Sequence, residues 1–159
     1  MPKKMTLSEK IFAITQRCSA IKRNGVGHSN NPERPLYAYV EIVDVLAMVN
    51  PLLKKYKLIL TGNVAKEPMT HVGKTWATTE VLVDWTLTDL EAQPDGLKVG
   101  EVHRVFRIPG AGVDDQGKGI YKALTGSRKY ACVFIFNLQF GDEPEEVQRA
   151  ATSESPTPA

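Results

Sequence analysis

The sequence predicts an α+β fold: a three-stranded antiparallel β-meander packed with helices, in the order helix, helix, three strands, helix. Three observations predict it. Apolar residues recur every three or four positions near the amino end and again from residue 119 to residue 136. Between residues 75 and 89 they alternate instead, the period of a half-buried strand. The strand-like runs are joined by short connections, which favours antiparallel neighbours. A chain of 159 residues suits one domain, read as a core over residues 1–141 and an acidic tail over 142–159.

The first helix is signalled by Thr6-Leu-Ser-Glu9, a capping box in which hydroxyl and carboxylate satisfy end amides. Leu7, Ile11, Ile14, Cys18 and Ile21 continue its apolar side, and Asn24-Gly25 supplies a stop. Residues 26–35 hold Gly, Ser, Asn and Pro and read as a loop. A second helix is predicted over 41–56, its apolar side formed by Val43, Leu46, Ala47, Val49, Leu52 and Leu53. Pro51 either kinks that helix or starts a new segment. Strands are predicted over 58–64, 75–89 and 99–108. The second has Ala77, Val81, Val83, Trp85 and Leu87 mostly on one face, and Gln93-Pro94-Asp95-Gly96 follows it as a turn. Residues 109–117 read as a glycine-rich loop that leads into a third helix over 119–136. The closing ATSESPTPA has the composition of a disordered tail.

No run approaches the roughly 18 apolar residues of a membrane span. MPKKMTLSEK lacks the apolar stretch of a secretory signal. Cys18 and Cys132 stand apart with no C-x-x-C, and read as buried thiols of a cytosolic protein. The net charge of +2 conceals a division. Asp142, Glu143, Glu145, Glu146 and Glu154 against Arg149 give the tail −4, which leaves +6 on residues 1–140. A basic body with an acidic tail is compatible with a nucleic-acid partner.

The third helix carries the sharpest pattern. Lys118, Lys122, Thr125 and Lys129 fall on one stripe, with Arg128 at its edge, and Ile120, Leu124, Ala131 and Ile135 fall opposite. No acid lies between Lys118 and Phe136. A helix with one dry face and one uncompensated cationic face suits a phosphate backbone. A merely solvated face is the plain alternative, but such faces usually mix both signs, and Lys118 and Lys122 stand at the repulsive i,i+4 spacing. Arg104 and Arg107, on the returning strand with His103, have opposite parity and point to opposite faces. One of them extends the cationic groove, or both are edge charges that discourage aggregation. Tyr37, Tyr39, Trp76 and Tyr121 are candidates to stack on unpaired bases, Tyr121 first because it adjoins the stripe; Trp85 reads as core.

Gly112-Val-Asp-Asp-Gln-Gly117-Lys118-Gly119 nearly matches the phosphate loop G-x-x-x-x-G-K-[ST]. Gly119 replaces the magnesium-binding hydroxyl, Asp114 and Asp115 put negative charge where phosphates would sit, and the preceding connection reads as antiparallel. Nucleotide hydrolysis is therefore not expected. Asp114 and Asp115 either hold a hard cation or start the helix, where negative charge is favourable. His28, His71 and His103 are scattered, and neither G-x-S-x-G nor a suggestive Cys/His spacing occurs, so neither an enzyme site nor a cofactor is expected.

Residues 112–131 and then Gly141-Asp-Glu-Pro resemble the ERF (essential recombination function) family of phage single-strand-annealing proteins. That pattern runs G-x-G-x-D, D-K, K-A-x-T, K-Y and G-D-D-P. Gly110, Gly112, Asp114, Lys118, Lys122, Ala123, Thr125, Lys129, Tyr130, Gly141, Asp142 and Pro144 match it. Tyr37-Ala-Tyr-Val, Leu52-Leu53 and Leu58-Ile-Leu fit the amino half, so the resemblance covers residues 6–145. Gly117 stands where an acid usually precedes the lysine, and Glu143 replaces the second terminal Asp. The resemblance implies a β-β-β-α core related to the eukaryotic Rad-type annealing proteins, and assembly into homo-oligomeric rings or filaments. It implies single-stranded DNA laid in a positive groove, annealing for recombination and repair without nucleotide, and a place in the cytoplasm of a bacterial host. Further partners on this reading are a single-strand-binding protein or a phage exonuclease. The rival readings are a duplex DNA or RNA binder and a module for an acidic protein.

Overall fold

The structure, a computed structural model, describes residues 4–27, 37–92, 102–114 and 116–141. The predicted turn at 93–96 and the acidic tail at 142–159 lie outside the described residues.

The fold is α+β, as the alternation and the helical repeats predict. Helix α1 spans Leu7–Arg17, and its capping box forms: the Thr6 amide donates to the Glu9 carboxylate at 2.7 Å and the Glu9 amide to the Thr6 hydroxyl at 3.2 Å. The helix stops at Arg17 with Cys18 as its C-cap, short of the predicted Asn24-Gly25. Tertiary pairing takes the remaining residues: Ile21 bridges Phe140 in parallel, and β1 (Gly25–Gly27) pairs antiparallel with β2 (Tyr37–Tyr39). Helix α2, Ile42–Lys55, is continuous through Pro51. Its buried side is Val45 and Val49, whereas Val43 and Ala47, read as apolar-side residues, are exposed. Among the described residues no helix is long and apolar enough to cross a membrane.

Strand β5 (Ala77–Asp89) is the spine of the sheet. β6 (His103–Asp114) runs antiparallel along one side of it, from Ala77↔Asp114 to Thr88↔His103. β3 (Leu58–Val64) and β4 (Met69–Val72) lie end to end along the other side. Val64 opposes Val83 and Met69 opposes Glu80, so residues 65–68 face only residues 81 and 82. The expected first strand forms as β3 over 58–64, and β4 continues the same edge beyond a bulge that contains Pro68, which has no amide to donate. β4 was not expected, because the interruption hides its pairing from the local pattern.

Residues 109–114, expected as a loop, are the last half of β6. Their glycines serve contact rather than turning. Helix α3, Gly119–Phe136 as the sequence predicts, lies on β6 and β5. A Cβ on Gly110 would stand 2.1 Å from the Ala123 carbonyl oxygen, and one on Gly112 would stand 2.1 Å from that of Gly119. The facing stripe of α3 is small for the same reason: Gly119, Ala123, Ser127 and Ala131 are buried. Ile120 and Leu124, expected on the dry side, are only half-buried. Val81, Val83, Trp85 and Leu87 of β5 meet Leu7 and Ile14 of α1, Val45 and Val49 of α2, and Ile135 and Phe136 of α3 in one core. Ser127 joins the layers by hydrogen bonds, accepting from the Trp85 indole at 2.9 Å and donating to the Ile108 carbonyl at 3.0 Å.

The amino helix is tied down by charge as well. Lys10 is only 3 % exposed and donates to Asp89 at 2.7 Å and Glu91 at 2.9 Å; Lys57 also pairs with Glu91. A lysine inside a capped helix gives no sign of burial in sequence, because its partners stand about 80 residues away.

Gly110→Ala and Gly112→Ala should each destabilise the fold at or beyond the upper end of the about 1–3 kcal/mol typical of overpacking. Gly126→Ala, in the same helix, meets nothing closer than 4.0 Å and should stabilise by about 0.5–1 kcal/mol. Urea unfolding of the three variants checks this; equal stabilities would show that the helix does not rest on the glycines.

Candidate nucleic-acid interface

The stripe on α3 forms one wall of a groove of about 780 Å³. Lys118, Tyr121, Lys122, Thr125 and Lys129 line that wall. The β2–α2 junction forms the other, through Tyr39, Val40, Glu41, Ile42 and Val43. Tyr121 is 70 % exposed, Val43 60 % and Tyr39 39 %, so aromatic and aliphatic surface lies open beside the cations. α2 begins at this groove, where the Glu41 carboxylate at its N-cap and Asp44 in its first turn offset the positive end of the helix dipole. Val43 and Tyr39 could not be placed here from the sequence, because this wall exists only once α2 packs on α3.

The three lysines are not equivalent. Lys118 is exposed, and its amine makes no ion pair with a described residue. Lys122 pairs with the Asp114 carboxylate at 2.6 Å and also donates to the Val113 carbonyl at 3.0 Å. Lys129 is half-buried, donates to the Val40 carbonyl at 3.3 Å and lies 5.2 Å from the Tyr130 ring centre. Burial pushes its pKa down. Lys129 therefore clamps the two walls together as well as lending charge. Thr125 and Arg128 are exposed.

Asp114 shapes the start of α3. It is buried, and beyond Lys122 its carboxylate accepts from the amides of Lys118 at 3.0 Å and Gln116 at 2.6 Å. Those three contacts, the Lys122 amine foremost, hold its pKa down at about 2. Gly117 completes the turn at φ +76°, a backbone conformation that favours glycine. The described contacts of Asp114 are those of a helix start. Asp115 lies outside the described residues, and among those described no group of three metal-ligating side chains occurs. The resemblance to a phosphate loop fails in its setting: β6 is antiparallel to β5, and the loop amides are held by the chain's own carboxylate.

The arginines of β6 do not line the groove. Arg107 projects from the sheet face opposite the helices and makes a bidentate pair with Asp84 across the strands, at 2.7 and 2.8 Å. Arg104 points to the helix face and donates to the Ser8 hydroxyl of α1. Parity separated them correctly; their partners, on other elements, were out of reach of that argument. Trp76 sits in the β4–β5 turn, away from the groove, and the Tyr37 side chain and His28 lie outside the described residues. Both cysteine thiols are free, and burial pushes that of Cys132 up to about 11.

A second groove, of about 740 Å³, lies between Gly126, Tyr130 and Phe134 of α3 and Leu82, Pro109 and Ala111 of the sheet. It is largely apolar, and Phe134 is 68 % exposed beside it.

Because the Asp114 pKa lies below its ordinary 3.8, its stabilising contribution is present above that value and lost as pH falls toward about 2. Asp114→Asn removes the titration. The native chain should lose more thermal stability than the variant as pH drops through that window, and parallel losses would contradict the role given to Asp114.

No known family model matches the chain, and no curated protein matches it.

Proposed function

We propose that the chain binds single-stranded DNA along the groove between α2 and α3, and that assembled copies anneal complementary strands without hydrolysing nucleotide. The observation that carries this reading is the meeting of the α3 lysine stripe with two exposed tyrosines in one open groove. Backbone phosphates lie along Lys118, Lys122 and Arg128. Bases rest on Tyr121 and Tyr39, with Val43 on the same wall as Tyr39. Such contacts recognise unpaired bases by their faces and carry little sequence preference, as annealing requires. Pairing is itself downhill, so the protein need only neutralise charge and keep strands extended. Copies join side by side through the sheet edges: the outer edge of β6 is unpaired among the described residues, and the apolar groove at Tyr130 and Phe134 runs across β6 and β5 to the break between β3 and β4. The likeness in sequence to the phage annealing proteins supports the same reading, with recombination as its setting.

The three lysines should separate in experiment. Lys118→Ala should weaken binding of oligothymidylate of any length tested and flatten its logarithmic salt dependence by about 0.7 units, one phosphate contact on a single strand. Lys129→Ala should instead lower the melting temperature along with affinity. Tyr121→Ala should weaken binding by about 1–3 kcal/mol, and Tyr121→Phe should restore it. Lys74→Ala, in the distant β4–β5 turn, is the control. Normal binding and annealing by folded Lys118→Ala and Tyr121→Ala variants would make the stripe a solvated face, and equal affinity for duplex would favour the rival reading.

A further inference from the structure

The helix that lines the groove and the segment that follows it in sequence carry opposite charge. From residue 118 to residue 136 the chain holds Lys118, Lys122, Arg128 and Lys129 and no acid. From residue 142 onward it holds five acids against one arginine, and four of them, Asp142, Glu143, Glu145 and Glu146, fall within five residues. The junction between the two is fixed. Phe140 bridges Ile21, and the Gly141 amide donates to the Ile21 carbonyl at 2.9 Å, so the acidic segment leaves the domain from one defined point.

The distances are favourable. The helix rises about 1.5 Å per residue, so the stripe from Lys118 to Lys129 is about 17 Å long and Lys129 lies about 10 Å along the axis from Phe136. An extended chain covers about 3.3 Å per residue, so counted from Gly141 the acid cluster has a reach of up to about 17 Å and Glu154 one of about 43 Å, against a stripe about 17 Å long. The segment after Glu146, VQRAATSESPTPA, has few large apolar side chains to anchor it. Its attraction to the groove is therefore mainly electrostatic, and salt screens it.

We propose that residues 142–159 occupy the cationic groove in the absence of DNA and act as a built-in competitor for it. The proposal rests on the nucleic-acid reading of that groove. A tethered segment acts at an effective concentration on the order of 1 mM, so even a tail with a comparably weak intrinsic affinity lowers the apparent affinity for DNA about twofold. Short or sparse anions fail against such a competitor. A long single strand, with a charge on every nucleotide, displaces it.

The test uses the full chain and a variant with D142N, E143Q, E145Q, E146Q and E154Q, which keeps every residue of the length. Zero-length carbodiimide coupling joins carboxylates to amines in contact. At low salt and without DNA, it should link residues 142–146 to Lys129, and Glu154 to Lys118 or Lys122, within one chain, and high salt or oligothymidylate should abolish the links. The neutral variant should bind oligothymidylate at least about twofold more tightly at low salt, with the gap closing as salt rises. Glu67→Gln and Glu80→Gln, two acids removed elsewhere, control for net charge, the gains being compared per charge removed. Links only between chains, links only to Lys3 or Lys4, or an affinity gain no larger than that of the controls would overturn the proposal. If the groove link forms but the chain binds no DNA, the nucleic-acid reading fails and the contact stands. If DNA binds and no link forms, the tail proposal fails alone.

Discussion

Helix α3 can lie on β6 only because the surfaces between them carry almost no side chain. Gly110 and Gly112 on the strand meet the backbone of Gly119 and Ala123 on the helix at distances that any Cβ would violate. Close packing then places the Ser127 hydroxyl between the Trp85 indole and the Ile108 carbonyl, where it satisfies both. It also fixes the rotation of α3 about its own axis. With Gly119, Ala123, Ser127 and Ala131 turned inward, Lys118, Tyr121, Lys122 and Thr125 face the start of α2. The groove is thus a consequence of how the opposite side of the helix packs.

Charge is used for two purposes in this molecule, and burial separates them. Lys10 is almost wholly buried between Asp89 and Glu91, and removing it would leave a buried carboxylate without its partner, a change that costs about 3–5 kcal/mol in comparable pairs. Along α3 the charges grade from structure to surface. Lys129 spans the groove to Val40, Lys122 secures Asp114 at the helix start, and Lys118 stands in solvent. A row that looks uniform in sequence thus divides into a clamp, a cap partner and an exposed cation.

The sequence made legible what depends on local period and local chemistry. The capping box at Thr6 and Glu9, the limits of α3, and the buried alternation of Val81, Val83, Trp85 and Leu87 were all readable there. What it hid depends on residues far apart in the chain. Gly110 and Gly112 read as loop glycines because nothing nearby reveals the helix that presses on them. Ile21 continued a helical period, yet it pairs with Phe140. The stripe itself was legible from helix geometry, but the wall formed by Tyr39 and Val43, and the partners that occupy Lys122, Lys129 and Arg107, are tertiary facts.

The central claim is that unpaired bases rest in the α2–α3 groove and nowhere else on the domain. Photocrosslinking tests it most directly: oligothymidylate carrying photoreactive thymine analogues is bound to the full chain, irradiated and mapped by mass spectrometry. Adducts are expected on Tyr39, Tyr121 and their neighbours in α2 and α3. Adducts concentrated on the opposite sheet face, around Val105, Arg107 and Thr86, would contradict it.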